Sequence, residues 1–251
     1  MRQFVLPETF NGQTELKLSG DDFHYICHVI RKKTGDKFPG LDRAGNPWLI
    51  SIESVEKDSC LVKLSTGKTV ENENVDITLV QCLPKGKKMD QIIRQAVETG
   101  IKQIIPVLSD HAVPKFDNEK DIEKKRLRWE KIAIEAMQQS GSSIFPRIFS
   151  PIKMDDLPLI WNNCGPGLFC HQIKIDDNSL HKCLNENINQ VYIVIGPEGG
   201  ISPREVDLLI KAGFKSIYLG KNVLRTETAA LYATAAINTV LLEKIRWNLN
   251  L

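Results

Sequence analysis

The chain has 251 residues, 42% of them hydrophobic and 25% charged, with a net charge of +2. That length allows a small domain beside a medium one, with material for an ordinary globular core. The balance excludes a polybasic binder of bulk nucleic acid, and no apolar run approaches the ~20 residues of a membrane span.

Pro7 and Glu8 interrupt the start before a signal-peptide hydrophobic region forms, so a cytoplasmic chain without membrane contact is expected. The six cysteines are Cys27, Cys60, Cys82, Cys164, Cys170 and Cys183. They form no Cys-x-x-Cys pair and no zinc spacing with histidine, so free thiols and no metal are expected.

Residues 1–72 read as short strands in which Leu16, Leu18, Ile50, Ile52, Val55, Leu61, Val62 and Leu64 alternate with polar neighbours. Gly20, Gly35-Asp36, Pro39-Gly40 and Gly45-Asn46-Pro47 punctuate them. Phe23, Ile26, Val29 and Ile30 predict one helix over Asp22–Lys32. The polar segment Val70–Val75 marks a domain boundary, and the rhythm then changes. Strand Ile77–Leu83, helix Asp90–Thr99, strand Gln103–Leu108 and a helix over Asn118–Ser140 follow. Next come strands Gly167–His171 and Val191–Ile195, helix Pro203–Ala212, strand Ser216–Leu219 and a last helix Glu227–Glu243. Strands alternating with helices predict an α/β domain on a parallel sheet. The wholly apolar run Val191–Ile195 suits a central strand.

Basic residues cluster at Arg31-Lys32-Lys33 with Lys37, at Lys85, Lys87 and Lys88, and at Lys124-Lys125-Arg126 with Arg128. Each can be a solvated face or a track for RNA phosphates.

Two loops carry the chemistry. Ile195-Gly-Pro-Glu-Gly-Gly-Ile-Ser-Pro-Arg-Glu205 leaves the end of the apolar strand, where ligand crevices form in open α/β sheets. Its glycines allow a sharp bend and close approach. Ser202, Pro203 and Glu205 are a helix-start signal: cap, first position and third position. Leu219–Ala229 repeats the strand, glycine loop, helix order, so the two loops are expected at neighbouring strand ends, facing across one pocket. Arg225 and Glu227 are either helix-entry charges or site residues. Gly-x-Gly-x-x-Gly is absent, and Gly67-Lys68-Thr69 lacks the earlier glycine of a P-loop.

The stretches IGPEGGIS (Ile195–Ser202) and LGKNVLRTETA (Leu219–Ala229) at this separation resemble the RsmE family of ribosomal RNA uridine-N3 methyltransferases, within the knotted SPOUT superfamily. The likeness continues through His24 to His28-Val-Ile-Arg31 with Gly35-Asp36, through Leu83-Pro-Lys-Gly86, Met89 and Glu98-Thr-Gly100, and through Glu135–Gly141 with Pro146. Ser142, Gln138 and Thr99 depart from the family pattern, which bears on RNA contacts and not on the enzyme class.

The resemblance implies a PUA-like β-barrel for RNA in residues 1–72 and a SPOUT-type α/β methyltransferase domain with a deep trefoil knot in residues 73–251. It implies S-adenosylmethionine as cofactor, bound by the loops at 168–172, 196–201 and 219–229. The cofactor residues are then Phe169, His171, Ile195, Gly196, Pro197, Glu198, Gly199, Gly200, Ile201, Leu219, Gly220, Val223, Leu224, Thr226, Thr228 and Ala229. Arg225, Glu198 and Glu227 are the catalytic candidates: the arginine for a developing uridine oxyanion or a phosphate, the carboxylates to orient it or take a proton. Arg31, Lys32, Lys33, Lys85, Lys87 and Lys88 would meet RNA. The implied partner is 16S ribosomal RNA of the small ribosomal subunit, whose target uridine must be unpaired because N3 lies on the Watson–Crick edge. Methylation of another RNA position, such as a ribose 2′-hydroxyl, is the alternative. Ala229, Ala230, Ala233, Ala235 and Ala236, with Leu231, Ile237, Val240 and Leu241, give the last helix apolar area on several faces, for a homodimer or for burial within one domain.

Overall fold

The computed structural model describes residues 4–67, 75–113, 116, 118–142, 144–175, 177–184 and 188–248. The expected boundary Val70–Val75 lies, but for Val75, outside them. The chain divides into two compact units, Met1–Asn72 with Ile134–Phe145, and Glu73–Ala133 with Pro146–Leu251.

The first unit holds β1 (Phe4–Val5), β2 (Glu15–Ser19), α1 (Gly20–His24), a π-helical turn at Tyr25–Val29, β3 (Lys37–Leu41), β4 (Pro47–Val55) and β5 (Ser59–Thr66). They form one five-stranded sheet in the order β1-β3-β4-β5-β2, antiparallel except for β1 with β3. Alternation puts Ile50, Ile52, Val62 and Leu64 on one buried face with Phe4, Leu18, Phe23, Ile26 and Phe38. The predicted helix over Asp22–Lys32 differs: the Ile30 N–H reaches back five residues to the Tyr25 carbonyl at 2.9 Å. β-Branched Val29 and Ile30 crowd a regular turn, and Arg31 follows in the left-handed region at φ 55°.

The second unit holds β6 (Asp76–Cys82), α2 (Lys88–Glu98), β7 (Gln103–Leu108), α3 (Glu119–Ser140, as far as Ala133), β8 (Arg147–Ile148), β9 (Ile152–Lys153), α4 (Leu157–Trp161), β10 (Gly167–Cys170), α5 (Leu180–Cys183), β11 (Gln190–Ile195), α6 (Pro203–Ala212), β12 (Lys215–Ile217) and α7 (Thr226–Asn248). The sheet runs β12-β10-β11-β6-β7-β8, with β9 also on β7, and every pairing is parallel. β11 is central and buried from Val191 to Ile195. Period-2 alternation sends Val80, Cys82, Phe169, Tyr192 and Val194 into a core with Met154, Leu157, Trp161, Leu209 and Phe214. α2 and α7 pack on each other, with α7 also against β6 and β11. Ala230, Ala233, Thr234, Ile237 and Leu241 make the buried stripe of α7. Among the described residues, no helix is long and apolar enough to cross a membrane.

The two glycine loops leave β11 and β12, which are not neighbours: β10 lies between them. This corrects the expectation of adjacent strand ends and adds a third loop, the one after β10, to the same end of the sheet.

Candidate functional site

The C-terminal ends of β10, β11 and β12 wall a cavity of about 310 Å³, in the position where parallel sheets open to ligands. The local sequence explains its shape. At Gly196 a Cβ would stand 3.0 Å from Ile201 Cγ1 and 3.1 Å from the Ile201 nitrogen, so only glycine lets the loop fold back on itself. Gly200 takes φ +73°, which side chains rarely adopt. The turn then enters α6 through a complete capping box. Ser202 Oγ accepts the Glu205 N–H at 3.2 Å, and Glu205 Oε2 accepts the Ser202 N–H at 3.0 Å, an arrangement worth about 1 kcal/mol.

Residues after β7 hold this loop from outside. Glu205 Oε1 accepts the Asp110 N–H at 2.9 Å, and the Asp110 carboxylate accepts the Ser202 hydroxyl at 2.5 Å. Arg204 bridges Asp110 and Asp155. The hydrogen bonds from Arg204, then from Ser202, hold the Asp110 carboxyl down at about 2. His111 Nδ1 lies 3.0 Å from the Gly199 carbonyl and 3.1 Å from that of Gly200.

Among the residues expected at the cofactor, His171, Ile195, Gly196, Pro197, Glu198, Gly199, Gly200, Ile201, Leu219, Gly220, Val223, Leu224, Thr226 and Ala229 line this cavity. Phe169 does not: alternation along β10 buries its ring completely in the core beside Trp161 and Leu209. Thr228, two residues into α7, is exposed and is not among the residues that line the cavity. Cys170, Gln172 and Asn222 line the cavity without having been singled out. The strand-end position of Cys170 and Gln172 was the available signal. Desolvation pushes the Cys170 thiol up to about 12, which favours its protonated form.

Of the catalytic candidates, Arg225 and Glu198 reach the cavity and Glu227 does not. No ion pair joins Arg225 to either carboxylate among the described residues. Lys88 takes that place, with Nζ 2.8 Å from Glu198 Oε1 and 3.5 Å from Glu227 Oε2. The Lys85 N–H adds bonds to both Glu198 oxygens at 3.3 and 3.2 Å. Burial opposes the charge on Glu198, but the Lys88 hydrogen bond and backbone donors outweigh it and hold the carboxyl below its ordinary value. Glu227 is mostly buried, and its Oε2, in ion-pair range of Lys88, makes no hydrogen bond among the described residues.

Lys88 is therefore half-buried and engaged by carboxylates, unlike exposed Lys85 and Lys87. Arg31 and Lys33 are exposed, whereas Lys32 is half-buried, with its ammonium 5.9 Å from the centre of the Phe38 ring. Sequence reasoning missed His111, Asp110 and Lys88 as loop-holding residues; they lie far away in the chain, and only the strand order brings them together.

Comparison with known proteins agrees with this geometry. A model of the RNA methyltransferase domain matches residues 71–238, and a model of the RNA methyltransferase PUA domain matches residues 18–65. The chain is 32% identical over 228 residues to a ribosomal RNA small subunit methyltransferase E of Bacillus subtilis, covering 88% of each. It is also 32% identical over 226 residues to one of Aquifex aeolicus, covering 89% of this chain and 93% of that one. A crystal structure of a ribosomal RNA small subunit methyltransferase E from Neisseria gonorrhoeae, bound to S-adenosyl methionine, superposes with a TM-score of 0.81 at 27% identity, over 96% of this chain and 98% of that one. With its parallel sheet, its glycine-walled crevice and matches over nearly its whole length, the chain belongs to the RNA methyltransferase family.

Proposed function

We propose that this enzyme methylates N3 of a uridine in 16S ribosomal RNA of the small ribosomal subunit, using S-adenosylmethionine. The observation that carries the reading is the cavity at the ends of β10, β11 and β12, walled by backbone from both glycine loops and carrying Arg225. Backbone amides and carbonyls suit adenine edges, and half-buried Leu219 and Leu224 supply apolar walls. Bound there, the cofactor supplies an electrophilic methyl group on a sulfonium.

The protein's share is orientation and electrostatics. Uridine N3 carries a proton, and its loss leaves negative charge on the flanking carbonyl oxygens. Arg225 has no carboxylate partner among the described residues, so its guanidinium is available to donate to that oxyanion. Glu198 is held ionised by Lys88 and the Lys85 N–H. A carboxylate depressed in this way is a reluctant proton acceptor, which favours an electrostatic role beside a cationic donor. Glu227 acts on the cavity through Lys88 and so positions groups without touching the reacting atoms.

The first unit is assigned to RNA, with Arg31 and Lys33 on phosphates. This extends to residues 1–72 as the RNA-binding part and 73–251 as the methyltransferase part, with a trefoil knot in the latter and a cytoplasmic location suited to ribosomal RNA. The homodimer belongs to the same reading. Tyr232 and Leu242 stay 53% and 44% exposed on α7 outside its buried stripe, which leaves apolar area for a second copy. Light scattering at micromolar concentration is expected to give twice the chain mass.

The deciding experiment is mass mapping of methylated nucleosides in 16S RNA from cells with and without this protein. Loss of a single 3-methyluridine is expected; loss of a 2′-O-methyl nucleoside instead would move the target to the ribose.

A further inference from the structure

Gln81 lies near the end of β6 and is fully buried. Its side chain faces α7, not the core under α6. Nε2 donates to the Cys82 carbonyl at 2.8 Å and to Thr226 Oγ1 at 3.0 Å. Thr226 Oγ1 in turn donates to the Gly196 carbonyl at 2.7 Å. The direction of this chain is fixed. A reversed amide would set Oε1 against the Cys82 carbonyl, acceptor on acceptor, so the donors point toward Thr226. Gln81 Oε1 is consequently left buried without a hydrogen bond among the described residues. Proteins seldom keep such an atom where an apolar side chain of similar volume would avoid it.

What the chain connects gives it meaning. Gly196 lies in one cavity wall, next to Ile195. Thr226 opens α7 and directly follows Arg225 on the other wall. These walls leave β11 and β12, and β6 reaches both through one side chain 145 positions from Thr226 in sequence.

We propose that Gln81 and Thr226 are positioning residues for methyl transfer: a two-bond relay that sets the separation of the glycine loops and the seat of Arg225. This rests on the reading that the cavity binds S-adenosylmethionine. Gln81 touches neither ligand; it orders Thr226, and Thr226 fixes the Gly196 carbonyl. The relay therefore acts on cofactor affinity and, through Arg225, on the chemical step.

The test uses the full-length protein and titrates S-adenosylhomocysteine by calorimetry, alongside single-turnover methylation of small subunits. Thr226→Val keeps the shape and removes the hydroxyl; about tenfold weaker binding is expected, with a further fall in turnover at saturating cofactor. Thr226→Ser, which restores the donor, is expected to return both to within about twofold of wild type. Gln81→Met keeps the volume without donors, and combined with Thr226→Val it is expected to add little, because both changes break one chain. Non-additivity and serine rescue are not expected of a residue that merely fills space. If wild type fails to bind, the cavity reading falls. If wild type binds and Thr226→Val binds equally well, or the double variant shows fully additive losses, the relay is overturned. Should Thr226→Val fail to fold, Gln81→Met against wild type decides by the same titration.

Discussion

His111 Nδ1 faces two carbonyl oxygens at once, that of Gly199 at 3.0 Å and that of Gly200 at 3.1 Å. Both partners are acceptors, so Nδ1 must carry the proton. The imidazole is thus a bracket across the tip of the glycine loop. His111→Ala is expected to weaken S-adenosylhomocysteine binding about fivefold, the worth of one net hydrogen bond, with an unchanged melting temperature. Equal affinity would show the loop to be self-supporting.

Gly196 offers a sharper steric test. A methyl group there meets Ile201 and the Gly200 backbone within 3.2 Å. Backbone cannot yield as a side-chain tip can, so Gly196→Ala is expected to abolish measurable cofactor binding. Gly199→Ala presses only on the His111 side chain at 3.0 Å and is expected to retain weakened binding. Titration of the two variants side by side checks the order; the reverse order would contradict the geometry.

Arg225→Ala is expected to lower single-turnover methylation by about 10²–10³, the usual effect of losing a preorganised donor to a developing anion. Cofactor affinity is expected to change little, since Arg225 has no ion-pair partner among the described residues whose loss would reshape the loop. Matching losses in rate and affinity would make Arg225 a structural residue.

Asp110 gives a pH dependence of known sign. Its folded-state value, about 2, lies below the ordinary 3.8. The stabilisation is therefore complete above about pH 4 and is lost as pH falls toward 2. The pair with Arg204 is well exposed, so solvent screening keeps its contribution small. Urea midpoints of wild type and Asp110→Asn are expected to differ at pH 6, to narrow below about pH 4 and to converge only as pH falls through about 2. A constant gap would locate the effect elsewhere.

In the first unit, Arg31→Glu with Lys33→Glu is expected to weaken binding to small-subunit RNA and flatten its salt dependence, with cofactor affinity untouched. Filter binding at two salt concentrations measures both. Lys32→Glu is expected to cost stability as well, because the lysine lies over Phe38.

The sequence was most readable where local rules act alone. Ser202, Pro203 and Glu205 announced α6 to the residue, because a cap is settled by its own neighbours. Val191–Ile195 announced a buried strand, because only a covered sheet tolerates such a run. The short β8, β9, α4 and α5 went unread; two to five residues carry too little periodicity to stand out. The turn at Tyr25–Val29 could not be told from an ordinary helix, since both bury Phe23 and Ile26. At the cavity, both glycine loops were legible and their supports were not. Gln81, Lys88 and His111 owe their placement to strand order, which no local pattern encodes. Phe169 shows the converse: its loop was correctly singled out, but the facing of one strand residue turned its ring to the core.

The grouping of Ile134–Phe145 with Met1–Asn72 bears on how the protein is made. Synthesis runs from the N-terminus, and domains tend to complete themselves in that order. Here the leading unit lacks a part until residue 145 has left the ribosome, and by then β6, α2, β7 and all of α3 have already been made. The nascent chain must hold an unfinished first unit while the second begins to form. The slow step of biogenesis is therefore expected to fall late, and a ribosome stalled before residue 134 is expected to carry a protease-sensitive N-terminal region that becomes resistant once residue 145 is exposed.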